Sequence, residues 1–364
     1  MNIVFRCDAS TELGTGHVYR CLTLADAFHF EGANIAFVIL EHPNNLAELI
    51  REHGYNCFEI RSETLSPDQF GENKFAQYPQ LADWQLTQDV LESNAFQPHL
   101  IIVDHYSLSH TWECQAKQLA AHVFVLDDLA NRQHRCDLLL DQTLGRQEHD
   151  YREFIDANTK LLVGGNYCLL RTEFAEQRAK SVSNKEHKQT VSRLLISMGG
   201  ADHDNASLLL LRALVKFNSL HITLLLGPLY EHDKSLDQFI IAHPELEVTI
   251  YKNVNNVAEV LAEQDIAIGA SGASSWERMA LGIPSLLYTL APNQELIAQQ
   301  LDNLRCAINM GDINTYSQEA LQRTLAELIK DRAGYQTLVK NNLSAINASG
   351  AKLVVEKIKE HCGL

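Results

Sequence analysis

Residues 269–284 read Gly269-Ala270-Ser271-Gly272-Ala273-Ser274-Ser275-Trp276-Glu277-Arg278-Met279-Ala280-Leu281-Gly282-Ile283-Pro284. An apolar run over 266–269 leads into this stretch, with the length and composition of a buried strand. Small residues then make a turn, and a helix is expected to start near Ser274. Small side chains leave backbone N–H groups open to a ligand, and the start of a helix favours an anion. Glu277 lies about one turn into the helix. A carboxylate there can accept both hydroxyls of a ribose, as acidic residues do in dinucleotide folds. The alternative is an ordinary first-turn glutamate that offsets the helix dipole. Further on, Ala291-Pro292-Asn293-Gln294 brings two side-chain amides suited to a sugar or a phosphate.

The same strand, turn and helix unit recurs in both directions. Before it, strands are expected at 194–197, 221–226 and 248–251, and after it at 285–287. In the first half, strands are expected at 2–7, 35–40, 100–104, 123–127 and 138–141, with helices at 17–30 and 46–53. Alternation of this kind implies parallel sheets covered by helices on both faces. Residues 176–187 are polar, charged and without apolar periodicity, which reads as an interdomain linker. The expected architecture is therefore two doubly wound Rossmann-like α/β domains, 1–175 and 190–364, facing a cleft. A closing helix over 351–361 could pack back on the first domain. In such sheets ligands bind beyond the carboxyl ends of the strands. Residues 55–80 are looser and read as a loop or surface insertion.

With 364 residues, the chain has room for two domains, and its 46% apolar content is enough for two cores. Lys and Arg total 30 against 46 Asp and Glu, a net charge of −16, which argues against a nucleic-acid partner. No apolar run reaches the roughly 20 residues of a membrane-spanning helix. Residues 1–5 enter a strand-like run without the basic and long apolar stretches of a signal peptide. The expected location is cytoplasmic, without membrane insertion. The eight cysteines contain no CxxC pair and read as reduced core residues, not a zinc site.

Two further motifs end strands. Asp8-Ala9-Ser10-Thr11-Glu12-Leu13-Gly14-Thr15-Gly16-His17 opens the first helix. It departs from the dinucleotide fingerprint, since Tyr19 stands at the third glycine position. The turn around Gly14 and Gly16 can bring backbone N–H groups to a ligand. His17 at a helix start is disfavoured as imidazolium and suits a neutral base, or else it caps or packs. Ser197-Met198-Gly199-Gly200-Ala201-Asp202 ends the first strand of the second half. Gly199 and Gly200 allow a phosphate close. Asp202 and Asp204 spell a metal-binding DxD, but first-turn caps are the preferred reading. Asp104-His105-Tyr106 and Asp127-Asp128 also lie at strand ends and suit either a sugar or loop capping. Trp84, Trp112 and Trp276 read as packing residues.

These residues resemble the pseudaminic acid pathway hydrolase family, which acts on UDP-2,4-diacetamido-2,4,6-trideoxy-β-L-altropyranose. The likeness runs through Arg6-Cys7-Asp8-Ala9-Ser10, Gly14-Thr15-Gly16-His17, Arg20-Cys21-Leu22, Val103-Asp104-His105-Tyr106 and Asp127-Asp128-Leu129-Ala130-Asn131-Arg132. It continues in Tyr167-Cys168-Leu169-Leu170-Arg171, residues 197–202 and residues 269–284. The last block is shared with GT-B glycosyltransferases such as MurG, while the Gly-Thr-Gly-His context points to the hydrolases. Cys7 departs from the expected alanine.

The resemblance implies a GT-B fold, UDP held mostly by the second domain, and inverting hydrolysis by C–O cleavage at the anomeric carbon. It implies His17 as the catalytic residue. Contacts to the diphosphate and ribose would fall on Ser271, Gly272, Ala273, Ser274 and Glu277, with Asn293 and Gln294 near the sugar. Asp8, Gly14, Gly16, Arg20, Tyr106, Gly199 and Gly200 complete the expected substrate-binding set, and Tyr78 and Asn255 are further candidates at the sugar. No metal and no cofactor are expected; the partner is a small-molecule UDP-sugar.

Overall fold

Strands buried on both faces set the architecture. In the first sheet, Ile3, Phe5 and Cys7 enter one core with Phe37, Ile102 and Leu126, while Val4 enters another with Val38, Val103 and Val125. Such period-two sorting into two cores is what a doubly covered parallel sheet requires. The protein is described here by a computed structural model covering all but residues 11–14, 44, 62, 66–76, 187, 189, 201, 255 and 364, and excluding the side chains of Glu186 and Asn293.

The chain divides into two units, Met1–Leu169 with Ser349–Leu364, and Leu170–Ala348. Unit 1 carries β1 (Asn2–Cys7), β2 (Asn34–Leu40), β3 (Asn56–Ile60), β4 (Leu100–Asp104), β5 (His122–Leu126), β6 (Leu138–Asp141) and β7 (Lys160–Val163). Their order is β3-β2-β1-β4-β5-β6-β7. Unit 2 carries β8 (Arg193–Ser197), β9 (His221–Leu226), β10 (Glu247–Lys252), β11 (Ile266–Ala270), β12 (Ser285–Thr289) and β13 (Ala307–Asp312). Their order is β10-β9-β8-β11-β12-β13. The described pairings in both sheets are parallel. In each sheet the order reverses at the first strand, between β1 and β4 and between β8 and β11. At such a switch point loops diverge and leave a crevice for ligands.

The helix Gly350–Cys362 inserts Val354, Val355 and Ile358 into the core of unit 1. The stretch read as a linker is instead the helix Thr172–Glu186 of unit 2. Beyond Phe174 its buried face is polar, which is why no apolar period marks it. Ser181 Oγ donates to the Leu281 carbonyl at 2.8 Å, and Arg178 donates to the carbonyls of Ala280 and Leu343. Among the described residues no helix is long and apolar enough to cross a membrane.

Buried charge braces the end of β1. Arg6 holds Asp83 with Nε at 3.1 Å and Nη2 at 2.6 Å, and Asp8 with Nη1 at 2.7 Å. All three side chains are fully buried. Leu40 N donates to Asp8 Oδ1 at 2.7 Å, and His105 Nε2 lies 3.1 Å from Oδ2. His105 Nδ1 accepts from the Ser107 amide, so the ring proton belongs on Nε2, facing Asp8. Asp8 was expected to touch substrate; with both oxygens engaged and no exposure, it belongs to the scaffold beneath the turn. Tyr78, expected near the sugar, donates its hydroxyl to Asp83 at 2.8 Å in the same cluster. Breaking one partner from such a pair typically costs about 3–5 kcal/mol, because a buried charge is left alone.

Burial alone would raise the Asp8 carboxyl. Arg6, His105 and the Leu40 amide more than reverse this and hold it down to about 2, below the ordinary aspartate value of 3.8. A depressed folded pKa contributes stability that is present above the unfolded value and lost as pH falls through the folded one. Asp8 should therefore contribute about 2 kcal/mol at neutral pH that disappears between about pH 4 and 2. Urea midpoints at pH 5 and pH 2.5 should show this acid loss in the parent and a flatter profile in Asp8→Asn. Equal acid sensitivity in both proteins would assign the loss to other carboxylates.

Candidate active site

At the switch point of unit 1, the helix Gly16–Phe30 presents His17 to the end of β4. His17 Nδ1 lies 2.5 Å from Asp104 Oδ1, with the histidine 4% exposed and the carboxylate fully buried. Arg20, one turn along, grips Asp104 through Nε at 2.5 Å and Nη2 at 2.5 Å, and Asp128 through Nη1 at 2.8 Å. The Asp104 carboxyl would be raised by burial, but Arg20 and His17 hold it well below the usual carboxylate range. An ionised Asp104 fixes the proton on His17 Nδ1 and leaves Nε2 as the basic nitrogen. The Tyr106 ring stands edge-on to the imidazole at 4.5 Å, and its hydroxyl donates to Asp128 at 3.4 Å. His17, Arg20 and Tyr106 are thus brought together. Gly16 is exposed, with open space where a Cβ would stand. Gly14 and Asn255 lie outside the described residues.

Asp127 takes the loop-capping role, accepting from the amides of Leu129 and Ala130 and pairing with Arg132 at 2.6 Å. Trp84 and Trp112 pack edge-to-face at 5.1 Å.

At the switch point of unit 2, two turns leave neighbouring strands, since Gly269 and Ser197 are register partners. The first turn holds Gly199 and Gly200, both exposed, with Gly199 at φ +92. Its close partner is Gly227, where a Cβ would lie 2.1 Å from the Gly200 carbonyl oxygen. Asp202 then caps the helix Ala206–Ala213, accepting from Ala206 N at 2.7 Å and Ser207 N at 2.9 Å.

The second turn runs from Ser271 to the helix Ser274–Ala280. Ser271 is fully buried; its amide bonds the Tyr288 carbonyl at 3.0 Å and its hydroxyl donates to the Gln294 carbonyl at 3.1 Å. It was expected among the diphosphate contacts, but these bonds make it a fastener of the turn. The amides of Gly272, Ala273 and Ser274 remain at the start of the helix, where no intrahelical carbonyl serves them. Gln294 closes over them. Its Oε1 accepts from Leu290 N at 3.0 Å, and its Nε2 lies 3.9 Å from a Cβ built on Gly272. Glu277 is 25% exposed and 3.3 Å from Arg171 Nη2. Burial pushes its carboxyl up, and Arg171 opposes this.

Sequence reading missed Asp104 as the partner of His17, Arg171 as the partner of Glu277, and Gly227. Asp104 stands 87 residues from His17, so the signal was only its place at a strand end. Arg171 and Gly227 had no local signal.

Residues 203–358 match the family model for the glycosyltransferase family 28 C-terminal domain. A UDP-2,4-diacetamido-2,4,6-trideoxy-beta-L-altropyranose hydrolase of Campylobacter jejuni is 25% identical over 302 residues, 83% of this chain and 96% of that protein. An uncharacterized protein of Methanocaldococcus jannaschii is 24% identical over 290 residues, 78% of this chain; the chain spans 54% of that relative's length. Acinetobacter baumannii MurG superposes with a TM-score of 0.70 at 14% identity, over 99% of both chains. The fold is GT-B, as the sequence resemblance implied.

Gly227→Ala should destabilise unit 2 by ~1–3 kcal/mol, the usual range for overpacking, because backbone stands where the methyl must go. Differential scanning calorimetry reads the loss. An unchanged transition would mean that the Gly200 turn shifts freely.

Proposed function

We propose that this protein is a UDP-sugar hydrolase that releases UDP and 2,4-diacetamido-2,4,6-trideoxy-L-altropyranose with inversion, in pseudaminic acid biosynthesis. The observation that carries the reading is the His17–Asp104 pair, 2.5 Å apart at the switch point of unit 1. The hydrolase name of the Campylobacter jejuni relative supports it. Inverting hydrolysis needs a base that activates water opposite the leaving group. In this reading His17 Nε2 takes a proton from water as its oxygen bonds to the anomeric carbon. The bond from that carbon to the UDP oxygen breaks, and its electron pair leaves with UDP. Asp104 supports the imidazolium that forms, and Arg20 keeps Asp104 ionised and aimed. The amides at residues 272–274 meet the negative charge of the departing diphosphate. Glu277 takes the ribose hydroxyls, with Arg171 holding its carboxylate in place.

A second reading, favoured by the family 28 domain match and the MurG likeness, is transfer of the sugar to a hydroxyl acceptor. Only the attacking oxygen differs.

Incubation with the UDP-sugar alone separates the two. The hydrolase releases free UDP without an acceptor, in EDTA as well as without it; a transferase needs an acceptor. A lost positioned base typically costs about 10²–10⁴-fold in rate, so His17→Asn should fall by that much in single-turnover UDP release. UDP affinity should hardly change, since unit 2 carries it. Near-normal turnover would remove His17 from the mechanism.

Glu277→Ala should weaken UDP binding in calorimetry by ~1.5–3 kcal/mol, the scale of hydrogen bonds to a charged group. Unchanged affinity in a folded variant would make Glu277 a helix-stabilising residue alone.

A further inference from the structure

Arg278 lies beneath the turn of residues 271–274 and is 1% exposed. Its Nη2 donates to the Ala270 carbonyl at 2.7 Å and to Ser275 Oγ at 3.1 Å, and its Nη1 to Ser274 Oγ at 3.0 Å. These acceptors are neutral. Among the described residues no carboxylate stands within ion-pair distance of it, and its Nε has no hydrogen-bond partner. The neighbouring acid, Glu277, is engaged by Arg171 at 3.3 Å. The other deeply buried arginines differ: Arg6 holds Asp8 and Asp83, and Arg132 holds Asp127.

The position of this charge is equally specific. A Cβ on Gly269 would lie 2.7 Å from Arg278 Nη1 and 2.9 Å from the Ser197 carbonyl. The guanidinium therefore fills the space where β8 and β11 end side by side, the switch point of the sheet. Burying a cation without a direct ion pair is unfavourable unless an anion completes the site. Burial pulls the guanidinium down to about 10, with the nearby Glu277 charge opposing through space, so it stays protonated at neutral pH.

We infer that Arg278 is a positioning residue that supplies the fixed positive charge for the diphosphate of a nucleoside diphosphate, acting through the turn of residues 271–274 without touching the ligand. The inference rests on the nucleotide-sugar reading above and extends it. It also accounts for a glycine at 269, where any side chain would displace the guanidinium.

The test compares a neutral donor, a retained charge and a plain filler. UDP affinity is measured by calorimetry, and uridine affinity by displacement, for the parent, Arg278→Gln, Arg278→Lys and Arg278→Met. A unit charge at short range under an effective dielectric near 20 gives an expected loss of UDP affinity of about 10- to 100-fold in Gln and Met. Lys should retain UDP affinity within about threefold because it keeps the charge, and uridine should change less than about twofold throughout because it has no diphosphate for that charge to act on. UDP and uridine falling in parallel, or Lys falling as far as Gln, would make Arg278 a hydrogen-bonded staple of the turn and overturn the inference. So would a Gln or Met variant that binds UDP like the parent. A parent that binds no UDP would overturn the nucleotide-sugar reading together with this one.

Discussion

Four neighbouring strands of unit 1 end in buried carboxylates, and each carboxylate is held by an arginine. Asp8 follows β1 and pairs with Arg6; Asp104 ends β4 and pairs with Arg20; Asp127 follows β5 and pairs with Arg132; Asp141 ends β6 and pairs with Arg146 at 2.8 Å. A row of acids at one edge of a sheet would repel and take up protons if unpaired. The arginines keep Asp8, Asp104 and Asp127 ionised. Asp141 is the exception: burial and the neighbouring Asp128 push it up to about 6 despite Arg146. The arginines thus offset most of the carboxylate charge at the pole of unit 1 and hold fixed the acid that aims a histidine. Unit 2 reverses the arrangement. Its four central strands end in the uncharged residues Ser197, Leu226, Ala270 and Thr289, and the cation Arg278 is buried beneath its switch point.

This contrast fits a division of labour in the proposed reaction. Activating water calls for a base whose tautomer is fixed, and a carboxylate at hydrogen-bond distance fixes it. Holding a leaving diphosphate calls for donors and positive charge that need not reorganise as charge develops. Mixing the two at one strand end would set Asp104-like carboxylates against the diphosphate. Two separate sheets let each requirement be met without that conflict.

Strands with continuous apolar runs, such as Ile3–Phe5 of β1, Leu100–Val103 of β4 and all of β11, were legible because both faces are buried. Three of the four edge strands, β3, β7 and β13, were not. Asn56, Glu59, Lys160, Asn309 and Asp312 interrupt their patterns, as expected where one side of a strand lacks a neighbour. The helix Thr172–Glu186 was hidden for another reason: it docks through Arg178 and Ser181 onto carbonyl oxygens, and hydrogen bonds leave no hydrophobic period. At the candidate site, the strand-end placement of His17, Glu277 and the glycine turns was legible because that signal is local. Their partners were not, because Asp104 and Arg171 reach them only through the fold. Gly227 and Gly269 show the same limit, since the atoms that exclude a Cβ there belong to residues 200, 197 and 278.

The chain carries a net charge of −16, yet the proposed ligand is itself an anion. Distance and medium reconcile the two. Surface carboxylates more than about 8 Å away are largely screened at physiological salt. A charge inside the protein about 6 Å away, at an effective dielectric near 20, contributes about 3 kcal/mol. One buried, unpaired guanidinium can therefore outweigh many exposed acids at the point where it acts. The first-turn amides of the helix Ser274–Ala280 add to the same field, since their partial charges lie along its direction. The excess of acids then bears on solubility and on the exclusion of larger polyanions, which must approach across the whole surface. A small diphosphate that enters the turn feels mainly the local charge, and net charge alone is a poor guide to what this protein binds.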